Sequence, residues 1–130
     1  MSRGLNKVMI IGNLGKDPEM RYTPSGKPVT TFSVASSRQW NTPNGERRTD
    51  TEWFTVVAWS SLAEICNQYL TKGNRVYIEG RLQTRRWEDK DGNHYSSVEI
   101  VANEMIILDQ PRHGDETNED PEGGENDFPF

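Results

Sequence analysis

One amphipathic helix standing between three strands and two more constrains this chain more than any other feature. Its start is signalled by Ser61 and Glu64 in capping-box spacing, so hydroxyl and carboxylate can each satisfy a backbone N–H left open at a helix start. Its end is expected at Gly73, a residue suited to the left-handed C-terminal position. Between them Leu62, Ile65, Cys66, Tyr69 and Leu70 recur at i, i+3, i+4, i+7 and i+8, a single apolar stripe that must cover something. Around it, alternation and β-branched residues predict strands over residues 5–14, 29–38, 51–59, 75–87 and 95–108. Three strands, a helix and two strands is the order of the five-stranded OB barrel, whose helix lies between the third and fourth strands. The fold class is therefore all-β, a five-stranded OB-fold barrel with one α-helix.

The strand faces follow from alternation. In the third strand Phe54, Val56 and Ala58 point one way, and Trp53, Thr55, Val57 and Trp59 the other. In the fourth, Val76, Ile78, Gly80 and Leu82 form an inward row, leaving Tyr77, Glu79, Arg81, Gln83, Arg85 and Trp87 outward. Gly80 suits a bend or bulge where the barrel closes. Asp91, Gly92 and Asn93 make a turn, so the last two strands form a long hairpin. The first strand is apolar on both sides, with Val8, Ile10 and Leu14 on one and Met9 and Ile11 on the other. A loop of the same chain or a second subunit could cover the extra face; the reading favours a subunit interface, a homo-oligomer.

Charge divides the chain in two. The 130 residues carry a net −5, which alone argues against a nucleic-acid partner. Residues 1–108 hold 14 Lys and Arg against 12 Asp and Glu, a net +2, whereas residues 109–130 hold eight acids against Arg112, a net −7. The expected organisation is one globular domain over 1–108 and a disordered acidic tail over 109–130. A lone cysteine, Cys66, allows no internal disulfide, so a reducing cytoplasm is expected, with the thiol a small buried hydrophobe. No run approaches the length of a membrane helix, and no membrane partner is expected.

Catalysis finds little support. His94 and His113 are too few for a metal site, and no metal or cofactor is expected. Glu88, Asp89 and Asp91 are read as a solvated turn. The segment Gly12-Asn13-Leu14-Gly15-Lys16-Asp17 lacks the glycine spacing and the Ser or Thr of a phosphate loop. The aromatics say more. Trp40, Trp53, Trp59 and Trp87 all fall off the inward rows, and exposed indoles need a reason. Trp53 and Trp59 should stand roughly 20 Å apart on one face of one strand. Arg38, Arg47, Arg48, Lys72, Arg85 and Arg86 surround them in sequence. Such interleaving suits single strands, whose bases stack on indoles while phosphates meet Arg and Lys, without sequence preference. An RNA-binding barrel, a protein-binding barrel and, more distantly, an enzyme are the rival readings.

The segments Ser2-Arg3-Gly4-Leu5-Asn6-Lys7-Val8, Gly12-Asn13-Leu14-Gly15-Lys16-Asp17-Pro18-Glu19, Arg21-Tyr22, Thr51-Glu52-Trp53, Leu62-Ala63-Glu64, Tyr69-Leu70, Lys72-Gly73 and Val76-Tyr77-Ile78-Glu79-Gly80 closely resemble those of the bacterial single-stranded DNA-binding proteins. The resemblance implies a homotetramer of OB folds that wraps single-stranded DNA in DNA replication, recombination and repair, acting in the cytoplasm on the nucleoid, and no enzyme. It implies base stacking on Trp40, Trp53, Trp59 and Trp87, with basic contacts at Arg3, Lys72, Arg85 and Arg86. The chain ends Asp127-Phe128-Pro129-Phe130, similar to the acidic tip with which family members dock replication and repair enzymes. Phe128 stands where an aliphatic residue is usual, and the linker before the tip is short.

Overall fold

A computed structural model describes residues 3–109 of the chain. Among these residues are six strands and one helix: β1 (Val8–Leu14), β2 (Glu19–Tyr22), β3 (Pro28–Asn41), β4 (Arg47–Trp59), α1 (Ser60–Tyr69), β5 (Arg75–Glu88) and β6 (His94–Ile107). The sheet runs β1-β5-β6-β4-β3-β2, and β1 pairs a second time with β3, which closes a five-stranded barrel. The expected OB architecture is present, with α1 between the third and fourth barrel strands. The added strand, β2, has four residues paired with the start of β3; so short a run carries too little alternation to be read in sequence.

The inward rows meet as predicted. Phe32, Val34, Val56, Val76, Ile78 and Ile100 are buried in one cluster with Cys66 and Leu70 from the helix end of the barrel. Burying each such aliphatic side chain contributes roughly 1.5–3 kcal/mol. Thr30 is a buried polar residue, and its hydroxyl donates to the Ala63 carbonyl at 2.7 Å, tying β3 to α1 without leaving a polar group unpaired. Burial pushes the Cys66 thiol up to about 11, so it stays protonated and behaves as a small hydrophobe.

The helix differs from its sequence signals in three ways. Strand β4 runs directly into α1 through Ser60, whose φ of 59° makes the corner. Ser61 therefore lies inside the first turn; Trp59 occupies the cap position and no side chain caps the helix. The helix ends at Tyr69, four residues before Gly73, because buried Leu70 is drawn into the core in extended conformation. Gly73, with φ 91°, serves the following turn. The buried face is Ala63 and Cys66 with Leu62 packed alongside, while Ile65 and Tyr69 are exposed; the small Ala63 lets the helix sit close to β3.

Gly80 faces a bulge. Between Glu79 and Gly80 the register against β6 slips by one residue, and a Cβ at Gly80 would run into the Val101 carbonyl. Past this point β5 turns away from the core while Ile100 opposite it, still paired with Val56 of β4, stays buried, so Leu82, expected inward, is 44% exposed. Val57 is the reverse correction. It belongs to the outward row yet is buried, because it lies on the parallel seam where β4 meets Val101 of β6.

Two hairpin arms thus extend from a packed body. The β3–β4 arm reaches residues 41 and 47, well beyond the predicted strand ends, and Trp40 sits on paired strand rather than in a loop. The β5–β6 arm ends in the predicted turn, with Gly92 at φ 83°. Near the arm roots Asn6 acts as an extra rung, its side-chain amide donating to and accepting from the backbone of Leu82 at 2.9 Å each way. The Gly-Asn-Leu-Gly-Lys-Asp segment is a clasp on the turn after α1. Asn13 Nδ2 donates to the Gly73 carbonyl, Leu14 pairs with Gly73 and Asn74, and the Lys72 N–H donates to the Asp17 carboxylate at 2.7 Å. Asp109 joins the same turn, accepting from Arg75 N and Asn74 Nδ2.

Candidate nucleic-acid interface

All four tryptophans are exposed, Trp53 at 60% and Trp40, Trp59 and Trp87 at 40–41%. The fold arranges them in three settings. Trp53 and Trp59 share the outer face of β4, since their partners on β3 are Ala35 and Val29, six residues apart. Trp40 pairs with Arg48, so the register puts it on the opposite face of the β3–β4 ribbon, the face that continues the barrel interior. Trp87 is at the end of the β5–β6 arm, opposite Tyr95.

Each setting supports its indole differently. Trp53 lies on a glycine: a Cβ at Gly15 would come within 2.6 Å of the indole Cζ3. The Lys72 N–H is held by Asp17, two residues along the chain from Gly15. Trp59 has Lys27 Nζ 5.8 Å from its ring centre, and the cross-sheet row through Val29 brings Arg21 to the same face. Over Trp40 the Arg38 guanidinium stands at 4.5 Å, beside a groove of about 140 Å³ that includes Ile10, Ser36, Asp50 and Phe54. Over Trp87 the Arg85 guanidinium stands at 4.3 Å. Such cation–π contacts contribute about 0.5–1 kcal/mol at exposed sites. They hold an indole against a cationic stem, with base stacking and phosphate contact available side by side.

The basic residues do not act alike. Arg85 Nε donates to Glu99 Oε2 at 2.9 Å, and Glu99 is only 13% exposed, so the Arg85 charge is already compensated while its plane braces Trp87. Arg86, its neighbour in sequence, pairs with Ser96 on the other face of the hairpin. A strand lying on one face cannot meet both guanidinium groups in the same way. Arg3 is exposed in the segment before β1. Asp127, Phe128, Pro129 and Phe130 lie outside the described residues.

Three contributors were not singled out in the sequence. Lys27 is distant from Trp59 in sequence, and the approach of Gly15 to Trp53 depends on how β1 meets β3, so neither carries a local signal. Tyr95 does: counting outward from the 91–93 turn pairs residue 87 with residue 95. Asp89, read as part of a solvated turn, organises it. Its carboxylate accepts from the N–H groups of Asp91 and Asn93, from Asn93 Nδ2 and from the Tyr95 hydroxyl. These donors, the Asn93 backbone first, hold its carboxyl below the usual aspartate value.

Comparison with known proteins agrees with this geometry. The model of the single-strand binding protein family matches residues 5–108. Single-stranded DNA-binding protein 1 of Chlorobaculum tepidum is 50% identical over 120 residues, covering 92% of this chain and 74% of that one. The single-stranded DNA-binding protein of Neisseria meningitidis serogroup A is 53% identical over 104 residues, 80% of this chain and 60% of that one. Among solved structures, Plasmodium falciparum SSB in complex with ssDNA superposes with a TM-score of 0.76 at 32% identity, covering 84% of this chain and 99% of that one. A deletion mutant of the Thermus aquaticus single-stranded DNA binding protein gives 0.71 at 33% identity, with 84% and 53% covered. The chain belongs to the single-strand binding protein family.

Proposed function

We propose that this chain binds and protects single-stranded DNA without sequence preference, in DNA replication, recombination and repair, and that it is a binding protein and not an enzyme. The observation that carries the reading is the set of four exposed indoles, three of them with a cation at 4.3–5.8 Å. Stacking contributes roughly 1–3 kcal/mol per base and needs only a base face, which a duplex hides. Trp40, Trp53, Trp59 and Trp87 are the proposed stacking residues. Lys72, Arg86 and Arg3 are the proposed phosphate contacts, and Arg85 a brace for Trp87. Titration with oligothymidylate should quench tryptophan fluorescence strongly, with much weaker response to duplex; no quenching by single strands overturns the reading.

The assembly proposed is a homotetramer. Met9, Ile11, Tyr77 and Ile106 line one outer face across β1, β5 and β6, and Met9 and Ile106 are 62% and 51% exposed. Beside them Glu79 accepts from the Tyr77 hydroxyl at 2.6 Å and pairs with Lys7 at 3.2 Å; the Tyr77 hydroxyl and then Lys7 hold its carboxyl below its ordinary value, and the hydrogen bond to Glu79 raises the tyrosine. A second copy is the natural cover for such an apolar face. The tip Asp127-Phe128-Pro129-Phe130 is the proposed docking peptide for replication and repair enzymes, its aromatics and acidic charge suiting a basic-rimmed apolar pocket. Among the described residues no helix is long and apolar enough to cross a membrane; a cytoplasmic site of action on the nucleoid is part of the proposal.

A further inference from the structure

We infer that Tyr95 is a fifth base-stacking residue, joined with Trp87 into one prearranged platform at the tip of the β5–β6 arm. The assignment rests on the single-strand reading above and names a contact within it. Tyr95 and Trp87 face each other across the hairpin, ring centres 5.7 Å apart and planes within 23° of parallel. Tyr95 is 45% exposed, far from any core cluster, so packing in the barrel does not account for it. Its hydroxyl is tied down, donating to Asp89 Oδ2 at 2.9 Å, and Asp89 is itself fixed by three donors of the turn. At the other end of the row Glu99 holds Arg85, which braces Trp87. The ring is thereby fixed through its polar end and stacked on the indole, so the pair offers two stacked rings to a base instead of one. An open cleft of about 430 Å³ lies beside the pair, with Arg86 and His94 among its walls. A platform whose rings are already immobilised loses little rotamer freedom on binding, which favours affinity over a loose side chain.

The test separates a ring that touches a base from one that merely props Trp87. Short oligothymidylate is titrated at fixed salt into the full chain, Tyr95→Leu, Trp87→Leu and the double variant, with thermal melting to verify folding. Tyr95→Leu should bind roughly tenfold more weakly. The double variant should bind several-fold more weakly than Trp87→Leu alone, because the tyrosine contributes its own contact. If the double variant matches Trp87→Leu, Tyr95 acts only through Trp87 and the assignment is overturned. Tyr95→Phe keeps the ring and is the control for folding; it should bind within about threefold of the full chain, and an affinity as low as that of Tyr95→Leu overturns the ring contact. Absence of quenching in the unaltered chain overturns instead the single-strand reading beneath it.

Discussion

The barrel body and the two hairpin arms are made from the same strands but are held together by different forces. In the body, one face of each strand is apolar and buried, from Phe32 and Val34 on β3 to Val76 and Ile78 on β5. In the arms both faces are wet, and pairing is reinforced by exposed polar contacts such as Ser37 with Thr51, Arg47 with Gln39, and Arg38 with Asp50 at 3.9 Å. Exposed ion pairs of this kind contribute about 0–1 kcal/mol each, and an isolated two-stranded ribbon is marginal. Yet Trp40, Trp87 and Tyr95 stand on the arms, while Trp53 and Trp59 stand on the body's outer wall. Stability and the candidate contact surface are therefore largely separate: the body supplies rigidity, and the arms carry aromatic surface away from it.

The largest expected effect follows from this division. Ile78→Ala, at a fully buried site, should destabilise the fold by about 2–5 kcal/mol in urea denaturation. Val98→Ala, on an arm and 61% exposed, should stay within about 0.5 kcal/mol. A comparable loss at Val98 would mean that the arm is packed against something, a second copy first of all, and the contrast would fail. Gly15→Ala comes next. The added methyl must displace the Trp53 ring, so oligothymidylate binding should weaken by about 1–2 kcal/mol while the core is untouched. Unchanged affinity would show that the seat of this indole is unimportant.

Smaller differences separate the two neighbouring arginines. Arg86→Gln should reduce the slope of log affinity against log salt by about 0.7, the share of one phosphate on a single strand. Arg85→Gln should weaken binding with little change in slope, because its charge is already met by Glu99; equal slopes for both variants would return Arg85 to phosphate contact. The smallest effect is acidic loosening of the β5–β6 tip. Asp89 titrates in the folded hairpin below the ordinary 3.8, so its contribution is fully present above about pH 4 and is lost as pH falls through the lowered value. Amide signals of Asp91 and Asn93 followed by NMR should report the change; a midpoint at or above 3.8 contradicts the hydrogen-bonded turn.

Legibility followed the same boundary between body and arms. The inward rows of β4 and β5 were readable because alternation against a core leaves a period of two in the residues themselves. The β5–β6 arm was readable as a hairpin from its 91–93 turn, whereas the outer β3–β4 arm, residues 39–50, read as a loop, since it is largely polar on both faces and its pairing is enforced by neighbours and not by burial. The exposure of Trp53, Trp59 and Trp87 was readable for the same reason as the core. Their partners were not. Lys27 reaches Trp59, and Gly15 underlies Trp53, through contacts between segments far apart in sequence.

By itself the sequence determined the order of the five barrel strands, the barrel class, the helix position, the outward placement of Trp53, Trp59 and Trp87 and the division of charge between a basic body and an acidic tail. These properties are local, or follow from periodicity and composition. Only the tertiary structure decided that Ser61 does not cap α1, that Leu82 leaves the core past the bulge facing Gly80, that Trp40 and Trp53 face opposite ways, and that Arg85 is a brace while Arg86 stands on the other face. Each depends on register and closure, and a one-residue shift in either turns a side chain from one face to the other.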